Sequence, residues 1–189
     1  AGRHWPIWLL IAMNTMRFLC LYVLLYTIPP YLVGAGHGQI MIGQWQSIFN
    51  VSQAFGLLLG GMTAAVGRER IICVGSTALS LIPLLLLPIF EGTSMIICMA
   101  FIGIGMAWTT AVVIQLGQGL VSRASRWMTG MLIGFASGIS TLTGPWLAGV
   151  LVDNFSARTP LYWATGFAVA TLVTALVLPS QKRLNALRD

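Results

Sequence analysis

Six long apolar stretches, separated by junctions of only a few residues, occupy most of this chain. The stretches cover residues 5–32, 40–66, 71–90, 95–120, 128–152 and 161–178. A helix needs about 20 apolar residues to cross a hydrocarbon core about 30 Å thick. The stretches reach that range and lack the strict alternation of barrel strands. We therefore predict an all-α membrane protein, with six transmembrane helices in residues 1–180 and a basic tail over residues 181–189.

The positions of the basic residues predict the orientation of these helices. Eight of the ten Arg and Lys residues lie at the start, at the second and fourth junctions and in the tail. They are Arg3, Arg68, Arg70, Arg123, Arg126, Lys182, Arg183 and Arg188. Basic residues stay on the cytoplasmic side during insertion. We expect both ends of the chain to be cytoplasmic.

Composition excludes a soluble domain and gives no support to nucleic-acid binding. The chain is 57% hydrophobic and 7% charged, whereas soluble domains carry about 25% charged residues. The net charge of +6 is explained by the orientation pattern and by attraction to anionic lipid head groups. No basic stripe with interleaved aromatic residues is present to hold a phosphate backbone.

Motifs for catalysis or metal binding are absent from the sequence. It has no His-Glu-x-x-His, no Gly-x-Ser-x-Gly and no phosphate loop. His4 and His37 are expected at opposite membrane faces, so they cannot share a metal. The three cysteines are Cys20, Cys73 and Cys98, and none forms a Cys-x-x-Cys pair. We expect no enzymatic activity, no cofactor and no metal.

Glycines at helical spacing indicate helices that pack closely. Gly56 and Gly60 share one face of the second span, while Gly130, Gly134 and Gly138 share one face of the fifth. Small residues let helix backbones approach each other in a membrane. We therefore expect both faces to contact neighbouring helices.

The ends of the second and fifth spans resemble each other. Residues 60–69 and residues 149–158 both close a Gly-rich helix with a short loop that contains Arg. The two segments are expected on opposite sides of the membrane. This arrangement predicts two three-helix units related by inversion.

The loop after the second span carries a resemblance to a known family. It contains Gly60, Met62, Ala64, Gly67, Arg68 and Arg70, with an echo at Gly149, Leu151 and Asp153 after the fifth span. These residues, with six spans and both ends inside, resemble the carboxy-terminal half of a major facilitator superfamily transporter. In that family the loop is similar to Gly-x-Leu-x-Asp-x-x-Gly-Arg-Arg/Lys. Ala64 replaces the acidic residue here, and Glu69 interrupts the basic pair.

The resemblance implies half of a secondary active transporter that works by alternating access. It implies a small solute, proton-coupled efflux by an antiporter, and a bacterial inner (plasma) membrane; the sequence is faintly similar to drug-efflux members such as fosmidomycin-resistance transporters. The expected partners are the lipid bilayer and an amino-terminal six-helix half, or a second copy of the chain. Because the chain begins at Ala1 and not at Met, we expect a fragment or a processed form. The gating-loop residues implied are Gly60, Gly67, Arg68, Arg70 and Asp153.

Arg17 and Arg158 lie outside the orientation pattern; Arg158 belongs to the repeated segment 149–158, which leaves Arg17 to be explained. Arg17 lies twelve residues beyond Trp5, which places it about 18 Å along the first span, near mid-membrane. A charge there costs about 2.5–3.5 kcal/mol and is functional by default. No acidic residue of the chain is expected at that depth. Its partner is therefore water, an anionic solute or a carboxylate of the missing half; alternatively, Arg17 is structural and bonds to helix carbonyls.

Other polar residues inside the spans complete the candidate solute site. Asn14 shares a helix face with Arg17, and Trp108 shares one with Gln115. In the resembled family the first and fourth spans of each half line the central cavity. Gln46 and Asn50 lie on a polar face of the second span. We predict that solute binds at Arg17, Asn14, Gln46, Asn50, Trp108 and Gln115. For Gln46 and Asn50, contacts between helices are an equal alternative.

A second class of function is also consistent with these features. The chain could be a membrane-embedded binding or assembly module that transports nothing. That hypothesis predicts that Arg17 is dispensable and that Gly130 and Gly134 are essential. It differs from transport in one measurable respect, since only a transporter moves solute across a sealed vesicle.

Overall fold

The computed structural model describes residues 5–64, 68–90, 92–120 and 125–178 as a bundle of helices. The helices are α1 (Trp5–Gly34), α2 (Gln39–Thr63), α3 (Glu69–Leu86), α4 (Thr93–Leu120), α5 (Ser125–Thr129), α6 (Ala136–Asn154) and α7 (Thr159–Val177). A π-helical segment, Gly130–Phe135, joins α5 to α6, and these three elements form one helix that we call the fifth span. The described residues contain no strand, which confirms the all-α prediction. The predicted tail, residues 181–189, lies outside the described residues.

Five of the long helices are apolar enough to cross a membrane. They cover Trp5–Gly34, Glu69–Leu86, Thr93–Gln118, Arg126–Asn154 and Thr159–Val177. The sixth long helix, α2, has 25 residues and is therefore about 37 Å long. Its amide side chains lower its hydropathy. Because unpaired amides are costly against lipid, the polar face of α2 belongs against protein or water.

The helices pack as two interleaved units of three. α1 packs on α6 and α7, and α4 packs in the equivalent way on α2 and α3. The first helix of each unit thus lies on the second and third helices of the other unit. Contacts between α3 and α7 and between α1 and α4 cross the boundary between the units. This is the packing of two inverted three-helix repeats, as predicted.

The glycine face of the second span makes the predicted helix contact. A Cβ at Gly60 would lie 2.6 Å from the carbonyl oxygen of Trp108, and a Cβ at Gly56 would collide with the carbonyl of Ile104. The absence of a Cβ at Gly56 and Gly60 is therefore required for α2 to lie this close to α4. At the adjacent position, Gly61, a Cβ would meet no described atom within 4 Å.

The glycine face of the fifth span does not make the predicted contact within the described residues. A Cβ at Gly130, Gly134 or Gly138 would meet no described atom within 4 Å. The fifth span instead approaches α1 at Gly144, where a Cβ would lie 2.7 Å from that of Tyr22. The spacing of the three glycines placed them on one face correctly, but that face points away from the bundle.

Two buried apolar clusters lie at the two ends of the bundle. One cluster includes Cys20, Trp45 and Met99, and the other includes Leu10, Met13 and Leu132. We call the end that carries Arg68, Arg70 and Arg126 the basic end, and the second cluster lies nearer to it. The stretch of α1 from Asn14 to Arg17 separates the two clusters. Polar side chains therefore meet at the middle of the bundle.

The two glycines Gly60 and Gly61 provide a test of the contact between α2 and α4. We expect Gly60→Ala to destabilise the bundle by about 1–3 kcal/mol, because the new methyl group collides with backbone. The matched change Gly61→Ala should be neutral or should stabilise α2 by up to about 1 kcal/mol, since alanine is the better helix former. Thermal unfolding of both purified variants in detergent measures the difference. Equal unfolding temperatures would contradict the packing described here.

Candidate functional site

A layer of buried polar side chains crosses the bundle between the two apolar clusters. It includes Asn14, Arg17, Ser76, Thr109 and Ser140, each less than a tenth exposed. The hydroxyls of Ser76 and Thr109 lie 2.7 Å apart and tie α3 to α4. The hydroxyl of Ser140 donates to the carbonyl of Thr15 at 3.2 Å and ties the fifth span to α1. Hydrogen bonds between helices thus replace contact with water throughout this layer.

Arg17 is the centre of the polar layer and is 2% exposed. Its Nε and Nη2 atoms donate to Oδ1 of Asn14 at 3.1 and 2.8 Å. Its Nη1 atom donates to the carbonyl of Met106 at 2.5 Å and to Oγ1 of Thr110 at 2.6 Å. These bonds occupy all but one of the N–H groups of the guanidinium. The partners of Arg17 therefore come from α1 and from α4.

All of these acceptors are neutral, so the guanidinium of Arg17 is hydrogen-bonded but its positive charge is not neutralised. Among the described residues no carboxylate contacts the guanidinium, and its Cζ lies 4.3 Å from the centre of the Phe18 ring. The structure therefore contains the helix carbonyl contact that a structural Arg requires. It also keeps an electrostatic field that favours an anion at this depth.

Asn14 links Arg17 to the π-helical segment. Its Nδ2 atom donates to the carbonyl oxygen of Leu132, while its Oδ1 atom accepts from Arg17. A π-helical turn leaves a backbone carbonyl without its usual partner, and such turns occur often at functional sites. The side chain of Asn14 donates to one carbonyl of this segment. One asparagine therefore fixes the guanidinium and the shape of the fifth span together.

Trp108 and Gln115 lie on the other side of α4 from the Arg17 contact. Met106 and Thr110 are one turn apart and face α1, whereas Trp108 is rotated by about 200° from Met106. The Nε1 atom of Trp108 donates to Oγ1 of Thr63 on α2 at 2.7 Å. The Oε1 atom of Gln115 is buried and has no hydrogen-bond partner within the described part of the chain. The residues predicted to bind solute therefore do not meet at one place: Arg17 and Asn14 lie against one face of α4, and Trp108 and Gln115 lie on its other face.

The polar face of α2 forms a third group. Gln46 is half-buried and Asn50 is exposed. The Nε2 atom of Gln53 lies 3.5 Å from Oδ1 of Asn50, so the two amides contact each other along the helix. These side chains lie beside the face of α2 that packs on α4. Gln46 and Asn50 lie ten or more residues before Gly60, which packs on Trp108, so about 15 Å or more separates them from that contact along α2. They make no hydrogen bond to the Arg17 cluster.

The predicted gating-loop residues lie at both ends of the bundle. At the basic end, Gly60 packs on α4, Arg68 is exposed and Arg70 donates from Nη2 to the carbonyl of Leu176 at 2.5 Å. That carbonyl belongs to the last turn of α7, which lacks partners within its own helix. Asp153 is exposed near the end of α6, at the other end of the bundle. Gly67 lies outside the described residues.

Three parts of the Arg17 site were not identified from the sequence. They are the carbonyl of Met106, the hydroxyl of Thr110 and the carbonyl of Leu132. Backbone carbonyls carry no sequence signal, because every residue has one. Thr110 was visible as a polar residue of the fourth span, and its spacing of two from Trp108 indicates the opposite helix face.

No metal site is formed by the described residues. No group of three or more His, Cys, Asp and Glu side chains comes together there. The three cysteines are free and buried. Their placement among apolar side chains agrees with the role of small hydrophobes.

The fold and the polar layer together define an integral, multi-pass membrane protein. The sequence profile of the Major Facilitator Superfamily matches residues 4–187. The chain therefore belongs to this superfamily of transporters, and the expectation of a protein that is not an enzyme is confirmed. No curated protein sequence matches the chain significantly.

Two solved transporters share its fold. The POT family transporter PepTSo is 16% identical with a TM-score of 0.73, over 91% of this chain and 37% of that protein. The human organic anion transporter MFSD10 (TETRAN) is also 16% identical with a TM-score of 0.73, over 96% of this chain and 49% of that protein. The chain spans less than half the length of either. At this identity the likeness shows the fold alone.

The hydroxyl of Thr110 provides a test of the Arg17 cluster. We expect Thr110→Val to destabilise the bundle by about 1–3 kcal/mol, because a buried charged donor loses its acceptor. Thr165→Val is the matched control, since the hydroxyl of Thr165 donates only to the carbonyl of Leu161 in its own helix. Thermal unfolding in detergent compares the two. An equal effect of both changes would mean that the Arg17 contact contributes nothing.

Arg70 and Arg68 allow a matched comparison of two substitutions at the basic end. We expect Arg70→Gln to lower stability by less than about 1 kcal/mol, because it removes a cation from the carbonyl end of α7. Arg68→Gln should leave stability unchanged, since the side chain is exposed. The measurement is hydrogen exchange of the last turn of α7, which should accelerate only in the Arg70 variant. Faster exchange in the Arg68 variant would contradict this assignment.

Proposed function

We propose that this chain is the carboxy-terminal six-helix half of a secondary active transporter, which moves a small anionic solute by alternating access. Membership of the superfamily supports transport. The coverage of PepTSo and MFSD10, 37% and 49% of their lengths, supports a second bundle of similar size. That bundle is an amino-terminal half or a second copy of the chain.

The observation that carries the proposal is an open, partly polar side of the bundle. Among the described helices, α1 and α4 lie between α2 and the fifth span, which do not pack on each other. The polar groups of α2 and the half-buried Trp108 lie towards this side. The buried, unpartnered Oε1 atom of Gln115 would be satisfied by an N–H or O–H group of a solute, of water or of the second bundle.

The candidate residues take different roles in this proposal. Trp108 and Gln115 contact the solute nearer the basic end, and Gln46 and Asn50 contact it nearer the opposite end, as the solute passes through the bundle. Arg17, held by Asn14, attracts an anion through its uncancelled charge. In the low dielectric of a membrane interior that attraction extends beyond direct contact.

The remaining features concern orientation and energy coupling. We place the basic end and both termini in the cytoplasm of a bacterial inner membrane. Proton-coupled efflux, as in the drug-efflux branch of the superfamily, requires a titratable carboxylate at depth. The sequence offers none near Arg17, so the coupling acid belongs to the other bundle. Gly60, Gly67, Arg68 and Arg70 form the gate at the basic end, with Asp153 in the equivalent position at the opposite end.

The charge of Arg17 can be cancelled with little change of shape. Thr110→Asp places a carboxylate at the Nη1 atom, and Thr110→Asn keeps a neutral acceptor of the same size. The full-length protein is reconstituted in vesicles with an imposed pH gradient, and labelled small carboxylates, phosphonates and matched neutral amides are offered. We expect flux of an anion in wild type and the Asn variant, and at least about tenfold less in the Asp variant.

Gln115→Leu tests the opposite face of α4 in the same vesicles. We expect it to reduce flux, whereas Gln44→Leu on the exposed surface of α2 should not.

Two outcomes would contradict the proposal. Equal anion flux in the Thr110→Asp and Thr110→Asn variants would show that the charge of Arg17 does not attract the solute. Absence of flux for every solute in the wild-type protein would favour the non-transporting assembly module instead.

A further inference from the structure

A cavity of about 580 Å³ lies at the end of the bundle opposite the basic end. Its walls come from the end of α1, the start of α4 and the connections that follow α1, α3 and α6. The volume is within the range of about 300–1,000 Å³ typical of small-molecule sites. Tyr31 lines the cavity and lies fourteen residues beyond Arg17 on α1. That separation is about 21 Å along the helix, so the cavity is distinct from the Arg17 cluster.

The polar groups that line the cavity favour an anion. Arg158 carries the positive charge of the lining, and His37 and Tyr31 add side chains that can donate hydrogen bonds. The guanidinium of Arg158 makes no hydrogen bond to the described residues. Asp153, the described carboxylate nearest to Arg158 in sequence, is exposed and is not part of the lining. A planar guanidinium in this position suits a carboxylate.

The position of His37 is fixed by the end of α1. Gly36 has a φ of +84°, which glycine adopts without strain. The chain then turns so that the N–H of His37 donates to the carbonyl of Leu32 at 3.1 Å, the pattern of a Schellman helix end. The ring of His37 also lies 5.1 Å from the ring of Trp45. The donor is therefore held in place before any ligand arrives.

Most of the remaining lining is apolar, with Ser156 as a further polar side chain. Phe90 is 36% exposed and Ala157 is partly exposed, so both leave apolar surface accessible. Leu32 and Met95 also line the cavity but are closed to water. A small inorganic ion would leave this surface uncovered. An apolar body attached to the anionic group would cover it and gain free energy from the area removed from water.

We propose that this cavity binds a small organic carboxylate, with its charged group at Arg158 and His37 and its apolar body against Phe90 and Ala157. The site is separate from the solute path through the middle of the bundle. It does not depend on whether the protein transports anything.

The test uses the full-length protein in uncharged detergent and fluorine NMR of three probes. The probes are 4-fluorobenzoate, the neutral 4-fluorobenzamide and fluoroacetate, which lacks the ring. We expect 4-fluorobenzoate to bind most tightly, because only this probe carries both the charge and the apolar body. Tighter binding of the neutral amide would overturn the proposal.

Arg158→Gln should weaken binding of 4-fluorobenzoate about tenfold or more, the loss expected for a charge-assisted hydrogen bond. Arg126→Gln is the matched control, because Arg126 is exposed at the basic end, and it should change the affinity by less than about twofold. Ala157→Leu provides a second test, since it fills the cavity and leaves Arg158 in place. Unchanged binding in both cavity variants would overturn the proposal.

Glu91 distinguishes an anionic ligand from a cationic one. It adjoins the lining residue Phe90 in sequence and lies outside the described residues. If the ligand is an anion, Glu91→Gln should leave the affinity for 4-fluorobenzoate unchanged or raise it. Loss of binding in that variant would overturn the proposal.

Discussion

Hydrocarbon supplies no hydrogen bonds, so a polar group inside this bundle needs a partner in the protein, in water or in a bound solute. Arg17 shows the most demanding case. Its guanidinium takes acceptors from its own helix, from the carbonyl of Met106 and from Thr110. Asn14 joins the same network to the carbonyl of Leu132. Three helices are therefore held in register by one buried charge and one amide.

The interleaved packing explains where close approach is required. α4 lies on α2 and α3, and α1 lies on α6 and α7. Gly56 and Gly60 allow the first of these contacts, and Gly144 allows the equivalent approach of the fifth span to Tyr22. The two units thus use glycine at related places without a shared glycine pattern. What is repeated is the geometry of the contact, not the sequence motif.

The sequence predicted the features that depend on solvent and on helix period. Hydropathy gave the helices, and spacing placed Asn14 beside Arg17. Spacing also placed Gly130, Gly134 and Gly138 on one face, but it could not show whether a neighbour lies opposite. The π-helical segment was not predictable, because it is matched to a side chain more than a hundred residues earlier in the chain. Features that depend on a distant partner require the folded structure.

The sequence also shows how far a list of polar residues can be converted into a site. Trp108 and Gln115 share a face, as their spacing indicates. The face towards Arg17, however, is that of Met106 and Thr110. A helix presents its polar residues in several directions, and only its neighbours decide which of them meet. On α4, Met106 and Thr110 face the buried charge of Arg17, whereas Trp108 and Gln115 face the open side of the bundle.

The network around Arg17 has a consequence for how the protein is made. α1 leaves the ribosome before α4, since Met106 and Thr110 are separated from Arg17 by 89 and 93 residues. Until α4 has been inserted, α1 carries a charge that has Asn14 as an acceptor but lacks Met106 and Thr110. During synthesis α1 must keep Arg17 in contact with water or with the insertion machinery. Completion of the fourth helix is the event that releases it into the bilayer.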